Sequence, residues 1–389
     1  MDTTHSAIIA LMKSAVTGVA EPLPEGFDLE QVEALVSKQA IDTLIYAGAV
    51  RCGIPKTLPV MQRLFQKYIQ LMLRSEKQMA EAKKLFEAFD EKGIDYLPLK
   101  GVILKELYPA HELRYMGDAD ILIKPAQEKN ISSTMESLHF VKKRENNHEY
   151  VWCNDNLYVE LHKQLHPPED LDFIAFWGDG WNYAEASSSH RFAFSDEINF
   201  VYIFTHFAKH YRIGGIGCRY VMDLWLYKRS HPEIDEALLQ EMLAKLSLLD
   251  FYLNICKLLD AWFENAAFDE KTEFISEYIF SGGSWGVWTN QILSEEIRSK
   301  KSSSGESHRK FSVFLRRLFP PYSTMIIQYP VTRNRAYLLP IYWIIRIFDV
   351  LLFQRHRVKK TLHAVEIATD DNIKARYEAL KYVGLEYDF

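Results

Sequence analysis

The chain has 389 residues, 48% of them hydrophobic and 25% charged, which is enough to bury a sizeable core and long enough for two or three domains. A formal net charge of −6 and a pI near 6.1 argue against a broadly basic nucleic-acid-binding domain, so nucleic acid is not an expected partner. The four cysteines, Cys52, Cys153, Cys218 and Cys256, are scattered without a Cys-x-x-Cys pair and read as reduced thiols. The N-terminus carries an acid and lacks a basic stretch followed by a long apolar core, and the expectation is a cytoplasmic protein with no signal peptide.

In chain order, the first residues have the pattern of an amphipathic helix. Leu29–Ala49 and Leu58–Asp90 follow with apolar residues at helical spacing, interrupted at Gly53-Ile-Pro55. In the second of these, Met61, Leu64, Phe65, Tyr68, Ile69 and Met72 predict a buried face on a long helix. Residues 1–92 are therefore expected to form a helical N-terminal module. Asp95–Tyr108 reads as a short apolar strand, a tight turn at Lys100-Gly101 and a helix. Asp118–Ile123 reads as a strand, Ala126–His139 as a crossing helix and Asn156–His162 as another strand, giving a mixed α/β core over 93–195. From Glu197 the pattern is almost wholly helical, with a glycine-rich turn at Gly214, Gly215 and Gly217. No strand precedes those glycines, so they do not make a dinucleotide fingerprint. Near the end, Lys300–Lys310 with Arg316 and Arg317 is a basic stretch that reads as solvated surface. Ala336–Phe353 is strongly apolar but broken by Pro340, Arg346 and Asp349, which fits a buried helix better than a membrane span, with an interfacial helix as the other reading because Arg355, Arg357, Lys359 and Lys360 follow.

The most informative residues are Asp118 and Asp120. On an extended strand they project from one face while Ala119, Ile121 and Ile123 pack on the other. Two carboxylates so close resist ionising together, and a divalent cation between them relieves the repulsion. Oxygen ligands suit Mg2+ or Mn2+, which bind substrate phosphates through one or two carboxylates. Glu160 shares a strand face with Tyr158 and His162 and is a candidate third acid. Arg114, four residues before Asp118, suits either a phosphate or a carboxylate that anchors its own loop. His206 and His210 lie one helical turn apart. The glutamate of a His-Glu-x-x-His zinc motif is absent, since residue 207 is Phe207. The pair fits a polar patch on a cleft, with Lys209, Arg219 and Asp223, or a structural hydrogen bond.

The order of Lys100-Gly101, helix, Arg114-Tyr-Met-Gly-Asp118-Ala-Asp120 and Val159-Glu-Leu-His162 resembles the uncharacterised bacterial branch of the DNA polymerase beta-like nucleotidyltransferases. His206-Phe-Ala-Lys-His210, Arg219-Tyr-Val-Met-Asp223, Leu318-Phe-Pro320 and Leu338-Leu-Pro340 are similar to that branch's later segments, so the resemblance spans roughly 30 to 360. One departure stands out: Lys100-Gly101 occupies the place where the wider superfamily usually has Gly-Ser or Gly-Gly. The resemblance implies an α+β fold, with a nucleotidyltransferase-type mixed sheet, flanking helices, and helical regions at 1–92 and 196–389. It also implies Asp118, Asp120 and Glu160 as catalytic metal ligands, and Lys100, Gly101, Arg114, His206, Lys209, His210, Arg219 and Asp223 around the nucleotide. The implied reaction moves a nucleoside monophosphate from a nucleoside triphosphate to a hydroxyl on a small molecule or protein, releasing pyrophosphate. Two other readings remain. A nucleotide-sugar glycosyltransferase also uses Asp-x-Asp, but calls for a larger α/β domain ahead of the aspartates. A non-catalytic nucleotide-binding module would have less need of all three acids.

Overall fold

The computed structural model describes residues 1–168, 170–283, 286–299, 315, 318–332, 335–353, 359–360, 362–363 and 366–385. The basic stretch 300–310, Arg316 and Arg317 lie outside them. The chain divides into two compact units, one of residues 1–211, 215–286 and 383–389, the other of 212–214 and 287–382. The first unit holds the sheet and every candidate site residue.

That unit begins with four helices, α1 (Thr3–Thr17), α2 (Leu29–Gln39), α3 (Asp42–Arg51) and α4 (Pro59–Glu91). The single helical stretch expected over Leu29–Ala49 is split, because Ala40 turns left-handed at φ 53°. Tertiary bonds that apolar spacing does not encode fix this break. The buried Gln39 side chain donates to the carbonyls of Ile279 and Phe280 and accepts the N–H of Cys218. Helix α4 is continuous over 33 residues and starts at a proline, whose missing N–H costs nothing at the first helical position. Met61, Leu64, Ala82, Leu85 and Phe89 form its buried stripe. Phe65 departs from the expected inner face; it is 46% exposed, with its ring 5.4 Å from that of Tyr46.

Five strands follow: β1 (Tyr96–Pro98), β2 (Ala119–Ile123), β3 (Val141–Glu145), β4 (Glu149–Cys153) and β5 (Tyr158–His162). They form one mixed sheet in the order β1-β2-β5-β4-β3. Only β2 and β5 are parallel neighbours. A parallel pair needs a long crossover, supplied here by α6 (Glu128–Ser137) and the β3–β4 hairpin. The alternation read from sequence holds. Ala119, Ile121, Ile123, Val159 and Leu161 join Leu85 and Phe89 of α4 and Ile131 and Met135 of α6 in one core cluster. Each large apolar side chain buried there contributes about 1.5–3 kcal/mol. Because strand side chains alternate, this packing turns Asp120, Glu160 and His162 to the opposite face.

After a short α5 (Gly101–Lys105) and α7 (Leu171–Trp177), helices α8 (Asp196–Ile213) and α9 (Cys218–Ser230) bring further polar groups to that opposite face. Helices α10 (Glu236–Lys245), α11 (Leu249–Phe263) and α12 (Glu270–Gly282) complete the unit. The class is α+β, a mixed sheet flanked by helices. The second unit is helical where described, with α13 (Trp288–Ser299), α14 (Tyr322–Gln328), α15 (Leu339–Phe353) and α16 (Asp370–Tyr382). Helix α15 sits where an apolar helix was expected. Its burial is not as expected, since Ile341, Ile344 and Phe348 are exposed. Among the described residues no helix is long and apolar enough to cross a membrane.

Candidate active site

Parallel pairing of β2 with β5 sets Asp120 directly beside Glu160 in register, and Asp118 stands one residue before β2. All three acids line one cavity of about 310 Å³. Lys100 and Gly101 close the cavity on one side, His206 and His210 of α8 and Arg219 and Asp223 of α9 on another, and Arg114 also borders it. Lys209 is not part of this lining. Its Nζ lies 3.2 Å from Asp170 Oδ2, because a residue adjacent to His210 on a helix points about 100° away from it.

Asp120 is the electrostatic centre. Lys100 Nζ lies 3.0 Å from its Oδ1, and His162 Nε2 lies 2.9 Å from the same oxygen. Burial works against the Asp120 charge, yet the lysine charge and the histidine hydrogen bond hold its pKa well below the usual carboxylate range. Burial likewise opposes the Lys100 ammonium, which the Asp120 carboxylate nevertheless keeps raised. The other two acids lack such compensation. Asp118 is pushed up by burial and by Asp120. Glu160 is pushed up to about 8 by burial, then by Asp120, Asp118 and Glu149. Lys100, with Arg219 near Asp118 and Arg144 Nη2 4.0 Å from Glu160 Oε1, leaves two of the three acids raised, and a divalent cation is the chemical species that would let all three ionise together. The oxygen-rich donor set fits Mg2+ or Mn2+, and ligand atoms of Asp120, Glu160 and His162 lie within 4.8 Å of one another.

The Lys100-Gly101 turn is locally strained. Lys100 takes φ 32° and ψ −93°, a conformation that a side-chain-bearing residue rarely adopts unless its surroundings impose it. The N–H of Leu99, just before, donates to Asp120 O at 2.8 Å, tying the turn to the aspartate strand. Gly101 has a packing reason to lack a side chain. A Cβ there would stand 3.1 Å from Asp118 O and 3.2 Å from Met116 Cγ, so glycine lets the turn press against the residue that presents Asp118.

Arg114, which also borders the cavity, is paired with a carboxylate. Its Nε and Nη2 donate to the two oxygens of Asp223 at 2.7 and 2.9 Å, and its Nη1 to Gly101 O at 3.2 Å. Tyr108 Oη donates to the same aspartate at 2.8 Å. This buried bidentate pair links α9 to both the Lys100-Gly101 turn and the loop before Asp118. His206 and His210 face each other, Nε2 to Nε2, at 3.1 Å. Burial lowers the pKa of both, and His210 falls to about 3. They are thus neutral hydrogen-bonding groups on the cavity wall. Arg219 donates to Tyr115 O at 3.2 Å and adds positive charge near Asp118.

Four contributors lay outside the expected set. His162 holds Asp120, and its position two residues after Glu160 on a strand was the signal for it. Helix α4 sends Gln78 to Met116 O, while Tyr202 lies under Lys100 Nζ, 5.8 Å from ring centre. Glu149 of β4 acts on Glu160 through its charge. The last three depend on contacts between distant segments and leave no local mark in the sequence.

The mixed sheet thus presents Asp120 on β2 and Glu160 in register on its parallel neighbour β5, with Asp118 just ahead of β2. The model of the uncharacterised nucleotidyltransferase family matches residues 25–264, and the chain belongs to that family. No curated protein and no solved structure matches it.

Proposed function

We propose that this protein transfers a nucleoside monophosphate from a nucleoside triphosphate to a hydroxyl group of a small molecule or protein, releasing pyrophosphate. The observation that carries this reading is the in-register juxtaposition of Asp120 and Glu160, with Asp118 beside them on the floor of one cavity. Asp118, Asp120 and Glu160 would hold Mg2+ or Mn2+, which in phosphoryl chemistry neutralises charge on the attacking and leaving oxygens. Glu160, ionised beside the cation, or a bound water would take the acceptor's proton as the hydroxyl attacks the α-phosphorus.

Lys100 meets Asp120 through one oxygen, and with a divalent cation on that acid it would be able to turn to the triphosphate, in the role the superfamily's hydroxyl contact fills. Gly101, His206, His210 and Arg219 line the same space, and Arg114 with Asp223 positions the loop instead of meeting the substrate. Residues 93–195 make up the catalytic core of this reading. Lys209, paired with Asp170, is not assigned a contact with the nucleotide in this reading.

The glycosyltransferase reading called for a larger α/β domain ahead of the aspartates. Before Asp118 the chain supplies α1 to α4, β1, α5 and a 3-10 turn, which does not favour it. A direct test is incubation with triphosphates labelled on the α-phosphate, Mg2+ and a cell extract. Label should move to a defined acceptor with release of pyrophosphate. Label that appears only as free nucleoside monophosphate would argue for hydrolysis instead.

A further inference from the structure

Next to the acid cluster lies a second constellation of different chemistry. His148 and Glu149 at the β3–β4 turn converge on His162 from β5. His148 Nε2 is 3.3 Å from His162 Nδ1. Glu149 Oε2 is 3.8 Å from the first nitrogen and 3.9 Å from the second. Metal bonds of about 2.0–2.2 Å at tetrahedral angles would set ligand atoms about 3.3–3.5 Å apart, so one pair already has that spacing and the others need only a small closure. We propose that His148, Glu149 and His162 form a site for a divalent transition metal of the zinc type, with a fourth position open to water.

The surroundings are those of a built site. Asp120 accepts from His162 Nε2 at 2.9 Å, and a carboxylate can only accept there. The proton therefore sits on Nε2, and the Nδ1 lone pair is directed at His148 and Glu149. A carboxylate behind a ligating imidazole is the usual support for such a ligand. Glu149 is held in the same way. Its Oε1 is engaged by Arg144 and Asn146 Nδ2, leaving Oε2 toward the histidines. The turn itself is fixed. Asn146 Oδ1 accepts the N–H groups of His148 and Glu149 at 2.8 and 2.7 Å, and His148 O accepts from the Lys163 N–H at 2.8 Å.

Two imidazoles and one carboxylate select a borderline metal over Mg2+. The neighbouring Asp120, Glu160 and His162 group is less suited to it. There the Asp120–His162 contact is a hydrogen bond, and Lys100 already lies 3.0 Å from Asp120. His206 and His210 also face each other, but no third metal-ligating side chain joins them among the described residues. A metal on His162 Nδ1 makes its Nε2–H a stronger donor to Asp120, so loading this site is felt one imidazole away in the catalytic cavity. The site's existence does not rest on nucleotidyl transfer.

The test is titration of chelator-treated protein with Co2+, whose visible absorption is intense in four-coordinate sites and weak in octahedral ones. One equivalent should give the intense spectrum. It should disappear in His148→Gln and Glu149→Gln and persist in Glu160→Gln, which disables only the other group. A wild type that shows only octahedral Co2+, a His148→Gln protein that keeps the four-coordinate band, or a Glu160→Gln protein that loses it would each overturn the proposal. Because the first two variants can unfold, long-range proton–nitrogen spectra of wild-type protein with and without Zn2+ give a separate answer. His148 Nε2 and His162 Nδ1 should shift. A response at His206 and His210 in their place would also overturn it.

Discussion

Two buried ion pairs frame the cavity, and they are built differently. Arg114–Asp223 is bidentate, its carboxylate also takes the Tyr108 hydroxyl, and its side chains are 3% and 2% exposed. Lys100–Asp120 joins one nitrogen to one oxygen, from a strained backbone, next to two further acids whose pKa values are raised. The first pair has every charge matched and no reason to open. The second has a surplus of negative charge and a cation on a flexible stem. Under the proposed function, the first pair is scaffold and the second meets the substrate.

The largest effect on stability is expected where the scaffold is cut. Asp223→Ala leaves Arg114 buried without its partner, and breaking a buried pair from one side costs about 3–5 kcal/mol. Urea unfolding should show that loss, and a variant as stable as wild type would remove the distinction between the pairs. Lys105 sharpens the contrast on the same side of the fold. Its Nζ is held by Ser75 Oγ at 2.6 Å and His111 O at 2.7 Å, and burial, followed by the Arg114 charge, lowers its pKa to about 7. An unfolded lysine titrates near 10.4, so between about pH 7 and 10.4 the unfolded chain binds more protons and stability rises with pH. Below pH 7 both forms are protonated and the gain vanishes. Unfolding curves at pH 7 and 10 should show this rise in wild type relative to Lys105→Met; equal pH dependence in the two proteins would contradict it.

The smallest structural effect is expected at the machinery. Lys100→Met should change the unfolding midpoint less than Asp223→Ala does and tighten Mg2+ binding, since a competing cation is gone. It should also raise the KM for triphosphate by about tenfold or more, the worth of one charge-assisted hydrogen bond. Unchanged KM would leave Lys100 as a structural counter-ion only.

Much of this was legible in the chain because strand alternation is a strong local signal. Asp118, Asp120 and Glu160 could be assigned to one face from the apolar residues between them, and His162 was visible on that face as well. What could not be read was the partner of each charge. Arg114 fitted a phosphate or a carboxylate equally from sequence, and Asp223, 109 residues away, decided it. Lys209 looked like a neighbour of His206 and His210, yet helix geometry sends it to Asp170. The split at Ala40 depends likewise on bonds from distant segments.

Under the proposed function the three acids bind a metal–triphosphate together. Calorimetric titration of wild-type protein and an Asp118→Asn, Asp120→Asn variant with nucleoside triphosphates, with and without Mg2+, tests it most directly. The wild type should bind triphosphate in a Mg2+-dependent manner and the folded variant should lose that binding. Equal, Mg2+-independent binding by both would contradict the account.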